Sequence, residues 1–567
     1  SFGPYKASNR RTVHLGVDIF ASAATPVFAP LDGEILAIEN RKNALDYGGM
    51  IILKHKTDCN DVFYSLYGHL DPNFTKQYKV GTKIKKGEQF CVLGNIGVNG
   101  GWAPHLHFQV ALTINGLEND WPGVADPDAL GFFNAICPNP AAILNLTDEY
   151  VEFRPIQKAE IYAKRKEKFA GNLRLSYDDP ILFLRGWKTH LFDELGRSYL
   201  DAYNNVPHVG HCHPKVVEAI YKQSSTLNTH TRYIHEGILT YIEKLTQTFN
   251  FDLTTAIMTC TGSEANDIAL RIAQTITNAK GIISTNHTYH GNTALVSQLS
   301  DTNPSNSFSL NTFKRVFAPD SYRLNGSKNL EEYSRSFAQD IERKINEFKK
   351  ENIGFAGIIL CPFFANEGFP NLPNGWLEPA QKIIKKHGGI IIADEVQPGF
   401  GRLGSSMWSH DIIGIQPDIV TIGKPMANGH PVGALITNYN FMSEFRKKYR
   451  YFNTFGGNPV SCAASLSVLE IIKEENLLSN AEKVGDYAQK KLKELAKKYE
   501  FIGDVRGSGL FFGIELVSNK NAKTPASELT SKIVNQMKNE GILLSKLGIN
   551  YNTLKIRPPM TLSLIHI

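Results

Sequence analysis

The sequence predicts two domains of different architecture: an antiparallel all-β domain over residues 1–144, then an α/β domain with a mostly parallel sheet over residues 145–567. Three observations predict it. The first is length, because 567 residues exceed what one hydrophobic core usually spans. The second is period-two alternation near the N-terminus, in Thr12–Phe20 and His105–Val110, which is the pattern of half-buried strands. The third is a set of continuous apolar runs farther along: Ala356–Cys361, Gly389–Asp394 and Asp418–Ile422, separated by stretches of helical spacing. Strands apolar on both faces belong to parallel sheets covered by helices on each side. Pro138–Thr147, where prolines interrupt every period, is the expected linker.

Composition fits globular domains, with 42% hydrophobic and 10% aromatic residues. A net charge of +6 over this length is mild and gives no electrostatic reason to expect nucleic acid or a membrane surface as partner. No apolar run is long enough to span a bilayer. Seven scattered cysteines, an odd number, fit a reducing, cytoplasmic setting better than a disulfide framework. Lys164–Lys168 reads as a solvated helix face. His211-Cys212-His213 fits no tetrahedral zinc spacing. The chain begins at Ser1 rather than Met, and Leu562–Ile567 does not read like the end of a domain, so a fragment lacking portions at both ends is expected.

In the N-terminal domain, alternation puts His14, Gly16 and Asp18 on one strand face. It puts His105 and His107 on one face of another strand, with Leu106 and Phe108 opposite. A further histidine, His69, closes the run Tyr64–Leu70. Two histidines and one aspartate with a fourth position open make a catalytic zinc set. Two spare histidines beside it would orient water and stabilise a developing oxyanion. The competing reading is unrelated strand histidines on a wet face.

In the α/β domain, Lys424 sits in Thr421–His430, shortly after the buried run that ends in Asp394. Pyridoxal phosphate chemistry needs this pairing: a lysine to carry the cofactor aldehyde, and a carboxylate to keep the pyridine nitrogen protonated. The carboxyl end of a parallel strand is where α/β sheets present such groups. Thr255–Cys260 reads as a strand, and Thr261-Gly262-Ser263 as a turn opening the helix Glu264–Ala273. That turn offers a phosphate free N–H groups and the positive helix end; alone, it is also what an ordinary N-cap looks like. His287–Asn292 adds the ring of Tyr289 close to Gly291, and Tyr451–Pro459 adds a second glycine-rich hydroxyl loop.

In this order, these motifs resemble the class III (ω) aminotransferases from about Asp148 onward. The resemblance implies the type I pyridoxal 5'-phosphate transferase fold, a homodimer and a small-molecule amine substrate. It makes Lys424 the Schiff-base lysine and Asp394 the pyridinium partner. Gln397 would bond the cofactor's phenolic oxygen, Thr261, Gly262 and Ser263 would cup its phosphate, and Tyr289 would stack on its ring. Thr454 would reach the phosphate of the neighbouring subunit's cofactor. Arg557, in Leu554–Met560, would hold a substrate carboxylate with its fork. The expected reaction is transamination of a primary amine or ω-amino acid. Asn204–Pro214, Leu227–Tyr233 and Gly423–Pro431 resemble the branch of amine-phosphate phospho-lyases, so elimination from an amino-alcohol phosphate is the alternative. One departure stands out. Class III transaminases commonly carry Glu-Pro and then Glu-Gly-Gly here, whereas this chain has Cys361 at the first acid and Asn366 at the second.

Residues 1–144 resemble the LytM/lysostaphin-type zinc metallopeptidases through Phe28–Gly33, Val80–Gly87 and Ala103–Phe108. That resemblance implies His14, Asp18 and His107 as zinc ligands, and His69 and His105 as catalytic histidines. A metalloendopeptidase activity, or a role as binding module only, is expected from it.

Overall fold

The structure is a computed structural model and describes residues 12–58, 61–113, 121–146, 158–169, 175–301 and 311–564. Residues 1–11 of the N-terminal domain, Thr147 of the linker and residues 565–567 of the tail lie outside the described residues. The chain divides into two compact units, Ser1–Tyr199 and Leu200–Ile567.

In the first unit, β1 (Val17–Phe20), β2 (Gly33–Arg41), β3 (Gly48–Lys56), β4 (Val62–Leu70), β5 (Lys83–Ile84) and β6 (His105–Ala111) form one sheet. Its order is β1-β6-β4-β3-β2-β5. Every pairing is antiparallel, as expected. Ile51, Leu53, Phe108 and Val110 enter one core cluster, while Met50, Ile52 and Ala111 enter another with Trp121 and Phe133. Successive side chains leave a strand on opposite faces, so both faces of this sheet are covered. The stretch expected as one strand, Thr12–Phe20, is split. Val13–His14 pairs with Val124–Ala125, and only Val17–Phe20 joins the main sheet, beside β6. Gly16 stands at the break, where a Cβ would lie 2.6 Å from the Phe108 carbonyl oxygen.

The described part of the expected linker is not extended. Pro140–Ala142 forms a short 3₁₀ turn, Ala141 is buried, and Ile143 and Leu144 pack on the core of the first unit. Its apolar side chains supply the reason: docking removes them from water. Lys158–Lys168 is a helix with no buried residue, in keeping with a solvated face.

The second unit is built on seven strands: β7 (Thr255–Thr259), β8 (Gly281–Thr285), β9 (Phe313–Val316), β10 (Phe355–Leu360), β11 (Ile390–Asp394), β12 (Ile419–Ile422) and β13 (Gly433–Thr437). The order is β7-β13-β12-β11-β10-β8-β9. Strands β9, β8, β10, β11 and β12 run parallel, and β13 is antiparallel to both its neighbours. Helix α1 (Gly262–Thr277) packs with Ile282, Ile359 and Ile392, and helices α2 (Leu330–Lys350) and α3 (Glu378–Lys386) with Ile283, Ile358 and Ile391. Adjacent isoleucines thus go to opposite faces, which explains why these strands read as unbroken apolar runs. A second, antiparallel sheet carries β14 (Ile502–Ser508), β15 (Phe511–Asn519), β16 (Ser545–Leu547) and β17 (Thr553–Ile556), in the order β14-β15-β17-β16. No helix of the described residues is long and apolar enough to cross a membrane. The six described cysteines are free thiols.

Candidate functional site

In the second unit a cavity of about 370 Å³ opens beyond the ends of β7 and β11, lined by Thr261, Gly262, Ser263, Tyr289, Asp394, Gln397 and Lys424 among others. Seven of the nine site residues expected in this domain therefore converge. Asp394 ends β11 and is held from three sides. Its Oδ2 accepts from Asn266 Nδ2 at 2.9 Å and from His290 Nδ1 at 2.6 Å, and its Oδ1 accepts from the Val396 N–H at 3.0 Å. Asn266 is locked in turn, donating to the His290 carbonyl and accepting from Thr421. A carboxylate held by this many donors is fixed in its orientation, which suits a partner for a protonated ring nitrogen.

Lys424 follows β12 with φ +32°, a backbone region that side chains other than glycine rarely adopt, so the surrounding fold imposes it. The side chain reaches the cavity and keeps contact with solvent, yet protein crowds it. That desolvation lowers its ammonium pKa; Asp394 opposes the shift and Arg557 adds to it. A lysine so lowered is closer to the neutral amine that nucleophilic and basic roles require.

Helix α1 begins with a full capping box. Glu264 accepts from the N–H groups of Cys260 and Thr261 at 2.8 and 2.9 Å, and the Thr261 hydroxyl accepts from the Glu264 N–H at 3.1 Å. The cap leaves the first-turn N–H groups of Gly262 and Ser263 for a ligand, at the positive end of a 16-residue helix. The cradle has glycine width: a Cβ on Gly262 would lie 2.8 Å from Val396 Cγ2, and one on Gly291 2.5 Å from Ser263 Oγ. A phosphate-bearing ring with an aldehyde fits these residues: amides for the phosphate, Tyr289 beside the ring, Asp394 for its nitrogen and Lys424 for the aldehyde.

On the far side, Gln397 Oε1 accepts from Arg557 and from Lys555 Nζ, while its Nε2 donates to Asn366 Oδ1 at 3.1 Å. Burial lowers the pKa of Arg557 to about 10 and that of Lys555 well below its usual value, with Arg557 adding to the shift on Lys555. Both cations donate to the neutral Gln397 Oε1, and Arg557 donates to the Tyr203 carbonyl as well. Thr454 is exposed and does not line this cavity of its own chain.

In the first unit, His14, Asp18 and His107 meet at the floor of a second cavity of about 410 Å³. Asp18 on β1 lies opposite His107 on β6 in register. His14 Nε2 is 2.9 Å from His107 Nδ1 and 3.2 Å from Asp18 Oδ1, and His107 Nδ1 is 3.1 Å from the same oxygen. Burial alone would raise the Asp18 pKa, but hydrogen bonds from His107 and His14 hold the carboxyl well below the usual range. Three ligand atoms drawn to one point, one of them anionic, fit a zinc ion with an open fourth position. His107 Nε2 is held by Gln109 Oε1 at 3.1 Å, the outer contact that orients a ligating imidazole. His69 and His105 lie beside the cluster with ring centroids 4.2 Å apart, tilted 42° to one another. Each bonds a backbone carbonyl through Nδ1, Asn99 for His69 and Ala103 for His105, and His105 Nε2 lies 3.7 Å from Asp18 Oδ2. Burial pushes the His69 pKa down to about 4, and His69 has φ +62°.

Residues 177–567 match the family profile described as Aminotransferase class-III. The chain belongs to this family. Residues 12–119 match a second profile, Peptidase family M23, so the class III domain follows a peptidase-family domain. The chain is 36% identical to ethanolamine-phosphate phospho-lyase homolog 1 of Caenorhabditis elegans over 449 residues, covering 76% of this chain and 94% of that protein. It is 37% identical to the alanine–glyoxylate aminotransferase 2-like protein of Drosophila melanogaster, covering 71% and 84%. Among solved structures, it is similar to a phospholyase from Arthrobacter in complex with phosphoethanolamine, at 36% identity and a TM-score of 0.69, covering 72% of this chain and 96% of that one.

Within this class III framework the sequence reading missed several residues that the fold brings to the sites. His290 stands next to Tyr289, and Lys555 stands two places before Arg557, which directly follows β17, so period two could have found it. Gln109 stands two places after His107 on the same strand, so the same period could have found it; Asn266 and Glu367 carried no local signal.

Proposed function

We propose that the class III domain is a pyridoxal 5'-phosphate enzyme that transaminates a small primary amine or ω-amino acid. The observation that carries this reading is the Asn266–Asp394–His290 arrangement behind a cavity that also holds Lys424 and the free amides of Gly262 and Ser263. When bound, the cofactor supplies an electron sink for the carbon bearing the amine. The chain's residues do the rest. Lys424 moves the proton at that carbon, Asp394 holds the ring nitrogen's proton, Tyr289 covers the ring, and Gln397 presents its amide to the ring edge. Arg557 fixes the substrate's acidic group with its fork.

A second reading, elimination of phosphate from an amino-alcohol phosphate, is favoured by one observation. Lys555 stands beside Arg557, while an amide, Asn366, occupies the position of the usual acid. Two buried cations suit a dianion better than a carboxylate. Turnover of phosphoethanolamine without keto acid separates the two. Transamination consumes about one equivalent per site and resumes when pyruvate or 2-oxoglutarate is added. Repeated release of phosphate and ammonia without acceptor would establish elimination and overturn transamination of that substrate.

We further propose that the functional domains divide at 144/145, that His14, Asp18 and His107 hold a catalytic zinc, and that His69 and His105 work beside it. There the ion would polarise a carbonyl and acidify water, giving metalloendopeptidase activity; failing hydrolysis, the domain serves as a binding module. The odd cysteine count supports a reducing, cytoplasmic setting.

The class III domain works as a homodimer in this reading. Ile234, Tyr233 and Phe455, the last adjacent in sequence to Thr454, are 97%, 67% and 70% exposed, apolar side chains that a second copy would cover. Light scattering should give a dimer. Thr454→Ala should weaken cofactor affinity roughly 10-fold, the worth of one hydrogen bond to a charged group. A fully loaded, active monomer would refute the assignment.

A further inference from the structure

In the first unit, one short loop holds both histidines that stand beside the proposed metal cluster. The Asn99 carbonyl accepts from His69 Nδ1 at 3.0 Å, and the Ala103 carbonyl accepts from His105 Nδ1 at 2.7 Å. A carbonyl only accepts, so each Nδ1 carries a hydrogen. Nε2 is then the nitrogen of each ring not committed to the loop. For His105 that nitrogen lies 3.7 Å from Asp18 Oδ2. The loop thus sets which nitrogen of each ring serves the cavity that both rings line.

The Asn99 side chain holds this loop closed. Its Oδ1 accepts from the Trp102 N–H at 3.1 Å, and its Nδ2 donates to the Trp102 carbonyl at 2.9 Å. Clasping both ends of one residue takes an acceptor and a donor side by side on one planar group, which an amide has and an ionised carboxylate lacks. Asn99 is fully buried, whereas Gly101, Trp102 and Ala103 are exposed. A buried amide is costly unless its oxygen and nitrogen are both bonded, and here both are. From the clasped Trp102 one peptide leads to Ala103, whose backbone is further narrowed by Pro104 after it. On the other flank the Leu45 N–H donates to the Gly100 carbonyl at 2.8 Å. A Cβ on Gly100 would lie 2.1 Å from the Asp46 carbonyl oxygen, so the loop sits tight against that turn. Among the described residues, Asn99 bonds Asn95, His69 and Trp102, none of them a proposed zinc ligand.

We propose that Asn99 is a positioning residue of the peptidase-family site: by clasping Trp102 it fixes the two carbonyls that hold His69 and His105 by Nδ1. The inference rests on the reading of these two histidines as the groups that work beside zinc. Its test reads the rings directly, by the ¹⁵N resonances of the full chain labelled in histidine, at an alkaline pH where imidazoles are neutral. His69→Ala and His105→Ala assign the two sets of signals. In the unaltered protein both rings should carry the proton on Nδ1. In Asn99→Ala the fraction carrying it on Nε2 should rise about 10-fold in both rings, the worth of one hydrogen bond. Zinc affinity should stay as it was. Trp102→Ala keeps the backbone that Asn99 clasps and should leave both rings as they were. If Asn99→Ala fails to fold, Asn99→Asp decides: it keeps the bond to the Trp102 N–H but repels the Trp102 carbonyl, and the same rise is expected. Rings unchanged in the Asn99 variants overturn the proposal. So does a zinc affinity that falls with them, which marks a collapsed cleft rather than freed histidines. An equal rise in Trp102→Ala also overturns it, because the indole and not the clasp would then be the anchor. Failure of the unaltered protein to bind zinc is a different outcome: it removes the catalytic reading, while the ring signals still decide whether the clasp holds the histidines.

Discussion

Replacing Lys424 with alanine lowers turnover by at least about 10³-fold, the scale set by losing a positioned proton-transfer group that also carries the cofactor. Cofactor binding survives in large part. The amides of Gly262 and Ser263, the glycine-width cradle and Asp394 with its two fixed donors are all independent of the lysine side chain. The substitution removes an amine at the cavity whose pKa crowding lowers toward the neutral form. Two measurements check this. Steady-state rates with an amine donor and keto acid report the loss, and cofactor content after extensive dialysis reports the retained binding. Activity near that of the unaltered protein, with contamination excluded, would remove Lys424 from the reaction.

The second large effect is at the other site. His107→Ala cuts the proposed zinc set from three protein ligands to two and leaves Asp18 without its in-register neighbour. Zinc affinity should then fall by more than the roughly 10–100-fold that loss of an outer contact costs. Gln109→Ala supplies that lower figure in the same protein, because Gln109 holds the far nitrogen of His107 without reaching the cluster. His105→Ala should keep the metal and slow any hydrolysis. Metal content and competition with a chelator give the order. Stoichiometric zinc in a variant lacking His14, Asp18 and His107 would show that the ligands are elsewhere. Chelation should leave the cofactor absorbance of the class III domain untouched, since the residues of each site belong to separate units.

Much of both sites was legible because their chemistry is written in short runs. Lys424 with its following Pro425 and Gly429, the Thr261–Ser263 turn before a helical period, and His105 alternating with Leu106 each carry their meaning within ten residues. The parallel sheet was legible for a similar reason: from Gly389 to Ala393 every position is apolar, as a strand covered on both faces requires. The linker shows where this stops. Two prolines predicted a break at Pro138–Thr147, yet Ala141, Ile143 and Leu144 had a core to dock on, and periodicity carries no information about a distant partner.

By itself, then, the sequence determined the two architectures, the order of the motifs and which groups are candidates for the proposed chemistry, because strand period, helix capping and motif spacing are local properties. The tertiary structure alone decided what surrounds those groups. Asn266, His290 and Glu367 reach their partners across 128, 104 and 82 residues of chain. Gly16, at the strand break, has no room for a Cβ because the Phe108 carbonyl of another strand stands 2.6 Å from where it would be. Lys555 and Arg557 share one glutamine oxygen only where β17 returns to the cavity. The orientation and proton state of a buried polar group depend on the donors and charges packed against it, and those are set by how distant segments meet.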